Sequence, residues 1–139
     1  MSPELIIWPM IIVALTTIWL YIPMSNARVA SVKSGKTKAS VYRHNVGEPE
    51  ESLRFSNAIR NQYESPTLFY AVCLAAFVTQ NANRLMIVLA FAYAIFKVAH
   101  VVSHITTNRL RYRRPIFGIS FMVLIALWLT LAISLTGLV

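Results

Sequence analysis

The stretch PIFGISFMVLIALWLTLAISLTGLV, at residues 115–139, contains no charged side chain. A helix needs about 20 apolar residues to cross the hydrocarbon core of a bilayer, because each residue advances the helix by about 1.5 Å. The stretch therefore predicts a membrane-spanning helix at about 115–138. Earlier in the chain, three further stretches predict helices at about 4–24, 52–80 and 84–106, the second of which begins with polar turns.

The composition points to a membrane protein. Of the 139 residues, 57% are hydrophobic and 13% are charged, whereas soluble domains carry about 25% charged residues. This composition excludes a disordered chain, and a soluble domain of this size cannot bury so many apolar side chains. The single cysteine, Cys73, excludes an intrachain disulfide. We therefore expect an all-α integral membrane protein, a single four-transmembrane-helix bundle over residues 1–139.

The positive charges predict an orientation in the membrane. The chain has 13 Lys and Arg against 5 Asp and Glu, and most of these basic residues fall in the connections 25–51 and 107–114. Because positive loops stay on the cytoplasmic side, both connections are predicted to be cytoplasmic and both termini to lie on the other side. In a bacterium this membrane would be the inner one. Membrane topology explains the basic excess, so we expect lipid and not nucleic acid as a partner.

A first group of polar residues lies at the start of the second predicted helix. Asn57, Arg60, Asn61 and Glu64 share one helical face, because their spacings are three, four and seven residues. They form either a helix end with a local ion pair or a polar wall in which Arg60 binds a carboxylate and Glu64 an ammonium group. Pro66 then either kinks this helix or frees a backbone carbonyl near the polar group.

A second group of polar residues lies inside the third apolar stretch. Lys97, His100, Ser103 and His104 again share one helical face, and ionisable residues within a membrane require a partner, a watery cavity or a function. Two histidines four residues apart are too few for a metal site, so no metal is predicted. The two histidines either form hydrogen bonds across the bundle or take part in ligand binding or proton handling.

Two arginines precede the last predicted helix. Arg113 and Arg114 stand directly before Pro115, which suits the first turn of a helix. Arginines at this position either bind lipid phosphate groups or lower the pKa of a thiol bound beside them.

Two of these segments resemble one family. Residues 60–70, RNQYESPTLFY, resemble the second-helix signature of the MAPEG family, the membrane-associated proteins in eicosanoid and glutathione metabolism. Residues 97–104, KVAHVVSH, continuing to Asn108 and the arginines that follow, resemble the third helix and the next loop, especially of bacterial members. The four predicted spans, the polar first connection and the chain length also fit this family.

The resemblance implies a homotrimer that binds glutathione as a cofactor between adjacent subunits, near the cytoplasmic side. Arg113 and Arg114 lie near the family arginine that activates the thiol, which implies a catalytic role. His104 stands where the enzymes often carry Tyr. Positions that correspond to family ligand-binding residues are Arg28, Arg60, Asn61, Glu64, His100 and His104.

The resemblance leaves two functions open. The first is a glutathione transferase or peroxidase that acts on lipophilic electrophiles. The second is a non-catalytic membrane scaffold or an accessory subunit of a larger membrane complex. Asn57 stands where the family commonly has Arg, and Phe121 where it can have Tyr. These departures favour the second function, so whether the protein is an enzyme stays open. A transporter is disfavoured, because no inverted repeat is visible.

Overall fold

The protein is helical throughout the residues that its computed structural model describes, which are 2–44, 46–107 and 109–137. No strand occurs within these ranges, which confirms the predicted all-α class. A short 3-10 helix at Pro3–Ile6 leads into the first α-helix. The α-helices are α1 (Ile7–Lys33), α2 (Val41–His44), α3 (Glu50–Gln62), α4 (Ser65–Val78), α5 (Arg84–Ile105) and α6 (Leu110–Leu135).

Three helical segments in the described part of the chain are long and apolar enough to cross a membrane. They are Pro3–Lys33, Arg84–Ile105 and Leu110–Leu135, with mean hydropathies of 2.2, 2.2 and 2.5. The fourth predicted span is not among them. Its apolar part is α4, which has 14 residues and therefore a length of about 21 Å, short of the hydrocarbon core of about 30 Å.

The structure corrects the continuous helix predicted at 52–80. The helix is broken at Tyr63 and Glu64, and Glu64 has the non-helical dihedral angles φ −89° and ψ −95°. Pro66 explains the break, because proline has no N–H to donate and its ring collides with the carbonyl four residues earlier. Of the two effects expected of Pro66, the structure shows the interruption of the helix, and the nearby carbonyl of Asn61 accepts a hydrogen bond from Lys97 Nζ.

Two other predicted helix ends are also corrected. The first helix continues from the expected end at residue 24 to Lys33, with Pro23 inside it. Arg28, within this extension, is tied to Glu48 by an ion pair that stabilises the extra turns. The last helix begins at Leu110 instead of residue 115, so Pro115 lies in its second turn.

These shifts also shorten the two predicted basic connections. The end expected at residue 138, and Asn108 in the family resemblance, lie outside the described residues.

Helix α5 is the central element of the bundle, since both hydrophobic clusters use it. In the larger cluster the rings of Phe69 from α4 and Tyr93 from α5 are stacked, with centroids 4.2 Å apart. The smaller cluster joins Leu20 from α1 with α3 and with Val101 from α5. Lys97, His100 and His104, all on α5, lie inside the bundle and not on its surface.

Large apolar side chains cover the outside of the bundle. Trp8, Ile18, Ile95 and Met122 are each more than half exposed, and they belong to α1, α5 and α6. Contiguous apolar surface of this kind is unstable in water and is typical of surfaces that face lipid or another protein.

Candidate functional site

A pocket of about 250 Å³ lies where the α3–α4 break faces α5 and the first turns of α6. Its lining combines charged, polar and apolar side chains. These are Asn61, Glu64, His100, Leu110, Arg113, Arg114 and Phe117. The sequence predicted Asn61, Glu64, His100, Arg113 and Arg114 as site residues, and the structure brings them together here.

The pocket has an excess of positive charge. Two guanidinium groups, from Arg113 and Arg114, share it with the single carboxylate of Glu64. The Arg114 and Glu64 side chains are exposed, whereas Arg113 is half-buried. An arginine binds a carboxylate or phosphate through two parallel hydrogen bonds, and a carboxylate binds an ammonium group. The arrangement is therefore suited to a small ligand that carries more negative than positive groups.

His100 forms part of the pocket wall, and His104 lies behind it. The His100 ring centroid is 5.6 Å from that of Phe117 and 6.0 Å from that of His104. His104 is 1% exposed, and neither of its ring nitrogens has a hydrogen-bond partner. The described residues include no group of three or more His, Cys, Asp and Glu side chains placed to hold a metal ion.

Arg28 lies outside the pocket, in a cluster of its own. Its Nε and Nη2 atoms donate to the Glu48 carboxylate at 2.9 and 3.3 Å, and Nη2 also donates to Ser56 Oγ at 2.9 Å. The guanidinium lies 5.0 Å from the centroid of the Tyr42 ring. We call these four residues the Arg28 cluster. These contacts fix the connection after α1 against α1 and α3. They also engage Arg28 with Glu48, whereas the resemblance assigned Arg28 to the ligand.

Glu48 is the charged partner in this cluster that sequence reasoning missed, together with Ser56 and Tyr42. Its side chain is 5% exposed. Burial alone would raise the pKa of this carboxyl group, but hydrogen bonds from Arg28, Ser52 and Ser56 and the Arg28 charge together hold it below the usual range. Glu48 is therefore an ionised partner for Arg28 at neutral pH. Its position in an aperiodic connection gave no sequence signal.

Of the four residues that were predicted to share one helical face, three lie on α3, and the helix break separates Glu64 from them. Asn61 and Glu64 reach the pocket, whereas Arg60 is exposed and does not line it. Asn57, one turn earlier, is half-buried and also outside the lining. Asn57, Arg60 and Asn61 all precede the break on α3, so the break changes the placement of Glu64 relative to them.

Lys97 forms hydrogen bonds to residues on both sides of the α3–α4 break, and the sequence did not predict this contact. Its Nζ atom donates to the backbone carbonyl of Asn61 at 3.2 Å and to Ser65 Oγ at 3.0 Å. The available signal for this contact was Pro66, because a proline leaves a preceding backbone carbonyl without its helical donor. The sequence did not indicate which side chain would donate to a carbonyl there.

The fold and the pocket define an all-helical membrane protein with a charged pocket at a helix break. The profile of the MAPEG family matches residues 6–133, which include every residue of the pocket lining. The chain belongs to the MAPEG family. Neither a curated protein nor a solved structure matches it.

Proposed function

We propose that the pocket at the α3–α4 break binds glutathione or a similar thiol peptide, and that the protein transfers this thiol to lipophilic electrophiles or uses it to reduce lipophilic peroxides. The observation that carries the proposal is the charge pattern of the lining, in which Arg113 and Arg114 line the same pocket as Glu64. Glutathione has two carboxylates and one ammonium group, which is the complementary pattern.

Each pocket residue has a role in this proposal. Arg114 binds a glutathione carboxylate, and Glu64 accepts hydrogen bonds from the ammonium group. Asn61 pairs with a peptide group, and His100 closes the wall beside it. Arg113, which is half-buried, stabilises the thiolate after the thiol proton has passed to water.

The free energy required to activate the glutathione thiol is modest. Lowering the thiol pKa by two units requires about 2.7 kcal/mol, which one well-placed arginine supplies in a partly buried site. In the transferase reaction the thiolate sulfur then forms the bond to the electrophilic carbon, and the leaving group departs with its electron pair.

We further propose that the protein acts as a homotrimer with four spans, in which α3 and α4 together form the second. The exposed position of Arg60 supports this assembly, because its guanidinium is available to a ligand held by a neighbouring subunit. The exposed apolar side chains on α1 and α6 give lipophilic substrates a surface on which to approach from the bilayer. Both basic connections would face the cytoplasm.

A non-catalytic membrane scaffold or accessory subunit is the second candidate function. The Arg28 cluster supports it, since Glu48 already occupies the arginine that a ligand carboxylate would need. The position of His104 behind the pocket supports it as well, because the enzymes of the family often carry a Tyr hydroxyl at that position.

Calorimetric titration of the purified protein with glutathione tests the proposal, followed by an assay with a chromogenic electrophile. We expect saturable binding that Arg114→Ala weakens about tenfold, since a charge-assisted hydrogen bond contributes about 1.5 kcal/mol. Arg111→Ala is the matched control, because Arg111 is exposed on the same helix and does not line the pocket.

The outcomes separate the two candidates. Binding with turnover supports the enzyme. Binding without turnover leaves a ligand-binding protein. The absence of binding, together with a stoichiometric larger partner after purification in mild detergent, supports the accessory subunit and contradicts the glutathione proposal.

A further inference from the structure

We propose that Lys97 is a positioning residue, whose buried ammonium group locks the α3–α4 break in the geometry that presents Asn61 and Glu64 to the pocket. The effect of this lock on ligand affinity rests on the proposed function, but the lock itself does not. Lys97 is not part of the pocket lining, so it acts through the backbone it holds.

The contacts of Lys97 join both sides of the break. Its side chain is 1% exposed. The two acceptors of its Nζ atom are the carbonyl of Asn61, near the end of α3, and the hydroxyl of Ser65, the first residue of α4. A single cation on α5 is therefore hydrogen-bonded to the end of one helix and to the start of the next.

The break creates the acceptor that a buried cation needs. In a continuous helix the Asn61 carbonyl would accept from the N–H of residue 65, but the non-helical Glu64 between them prevents this. The carbonyl end of a helix also carries partial negative charge, which favours a cation there. A buried ammonium group without such partners would be strongly destabilising. Lys97 and the break therefore stabilise each other.

A second hydrogen bond supports the lock. The hydroxyl of Tyr93 donates to Ser65 Oγ at 3.2 Å, and the Tyr93 ring is stacked on Phe69 of α4. On the other side, Lys97 Nζ lies 5.9 Å from the centroid of the Phe117 ring, which lines the pocket. Lys97, on α5, therefore contacts α3, α4 and α6 next to the pocket.

The direct test measures the geometry of the break without any ligand. Nitroxide labels on Glu50 and Leu74, both exposed on α3 and α4, report the distance between the two helices by pulsed electron resonance in a Cys73→Ala background. We expect a narrow distance distribution in the otherwise native chain. Lys97→Met should broaden or shift it, and Lys97→Arg should restore most of it.

The second measurement is the glutathione Kd of the same unlabelled variants. We expect Lys97→Met to raise it at least tenfold and Lys97→Arg to recover part of the loss. Lys33→Met, which changes an exposed lysine at the end of α1, is the matched control and should leave both measurements unchanged.

The possible results are distinguishable. An unchanged distance distribution in Lys97→Met would overturn the inference, and a changed Kd with unchanged distances would assign Lys97 to direct ligand contact instead. If the unsubstituted protein does not bind glutathione, the proposed function fails while the distance measurement still decides the role of Lys97. If Lys97→Met does not fold, Ser65→Ala and Tyr93→Phe replace it. An unchanged distribution in both of these would equally overturn the inference.

Discussion

The Arg28 cluster and the pocket at the helix break both contain arginine and carboxylate side chains, but they differ in how exposed these side chains are. In the Arg28 cluster the carboxylate of Glu48 is 5% exposed and fully engaged by Arg28 and Ser56. In the pocket the carboxylate of Glu64 is exposed, and it shares an open cavity with two arginines. An arginine held by a buried carboxylate of the chain stabilises the fold, whereas charged side chains that line an open cavity can be reached by a ligand.

If the pocket is a catalytic site, the largest effect on the reaction rate is expected from a substitution of Arg113. Arg113→Ala should lower the rate of thiol transfer about 100-fold, because losing two units of thiol activation removes about 2.7 kcal/mol from the transition state. The measurement is kcat/KM with a chromogenic electrophile. Arg111→Ala should retain the rate, and an equal loss in both variants would contradict a specific role for Arg113.

The Arg28 cluster should respond in stability and not in ligand binding. Glu48→Gln replaces an ionised acceptor by a neutral one, which should lower the free energy of unfolding by about 1–3 kcal/mol. Thermal unfolding in detergent measures this loss, with Glu50→Gln as the exposed control. The glutathione Kd should stay unchanged. A changed Kd without a loss of stability would place Arg28 in the ligand site and remove the contrast between the two regions.

Arg60 offers a smaller effect that tests the trimer. Arg60→Ala should weaken glutathione binding by about 1.5 kcal/mol, roughly tenfold, if its exposed guanidinium reaches a ligand on a neighbouring subunit. Calorimetry on the purified protein measures this change. The exposed Arg84, at the other end of α5, is the control position for an alanine substitution. An unaltered Kd in Arg60→Ala would remove Arg60 from the site.

The smallest expected effect is the pH dependence of the Arg28 cluster. The folded-state pKa of Glu48 is lowered, so its stabilising contribution is complete above the unfolded pKa of about 4.3 and is lost as the pH falls through the folded-state value. Between neutral pH and this window, Glu48 should cause no change in the unfolding temperature. Within this window, the unsubstituted protein should lose stability more steeply than Glu48→Gln as the pH falls. Parallel slopes would show that Glu48 is not the titrating partner.

The regular parts of this architecture were predictable because periodicity determines them. Asn61 and Glu64 were placed together by helical spacing, and the uncharged stretch 115–139 predicted the last span without any partner. Arg113 and Arg114 required the family resemblance, because their approach to Glu64 depends on how α6 packs against the break. Sequence spacing carries no information about that packing.

The contacts that were missed join residues far apart in the chain. Glu48 lies 20 residues after Arg28 in an irregular connection, and Lys97 lies 32 residues after Ser65. Pro66 indicated a disturbance in the helix, but only the packed bundle determines which donor satisfies the carbonyl of Asn61. The same disturbance separates Arg60 from Glu64, which a continuous helix would have kept together.

The most direct test of the central claim is a side-chain-resolution map of the protein in lipid nanodiscs with saturating glutathione. We expect density for the peptide in the pocket, with a carboxylate on Arg114 and the ammonium group on Glu64. An empty pocket at saturation, with Arg114 turned to the lipid phosphates, would contradict it.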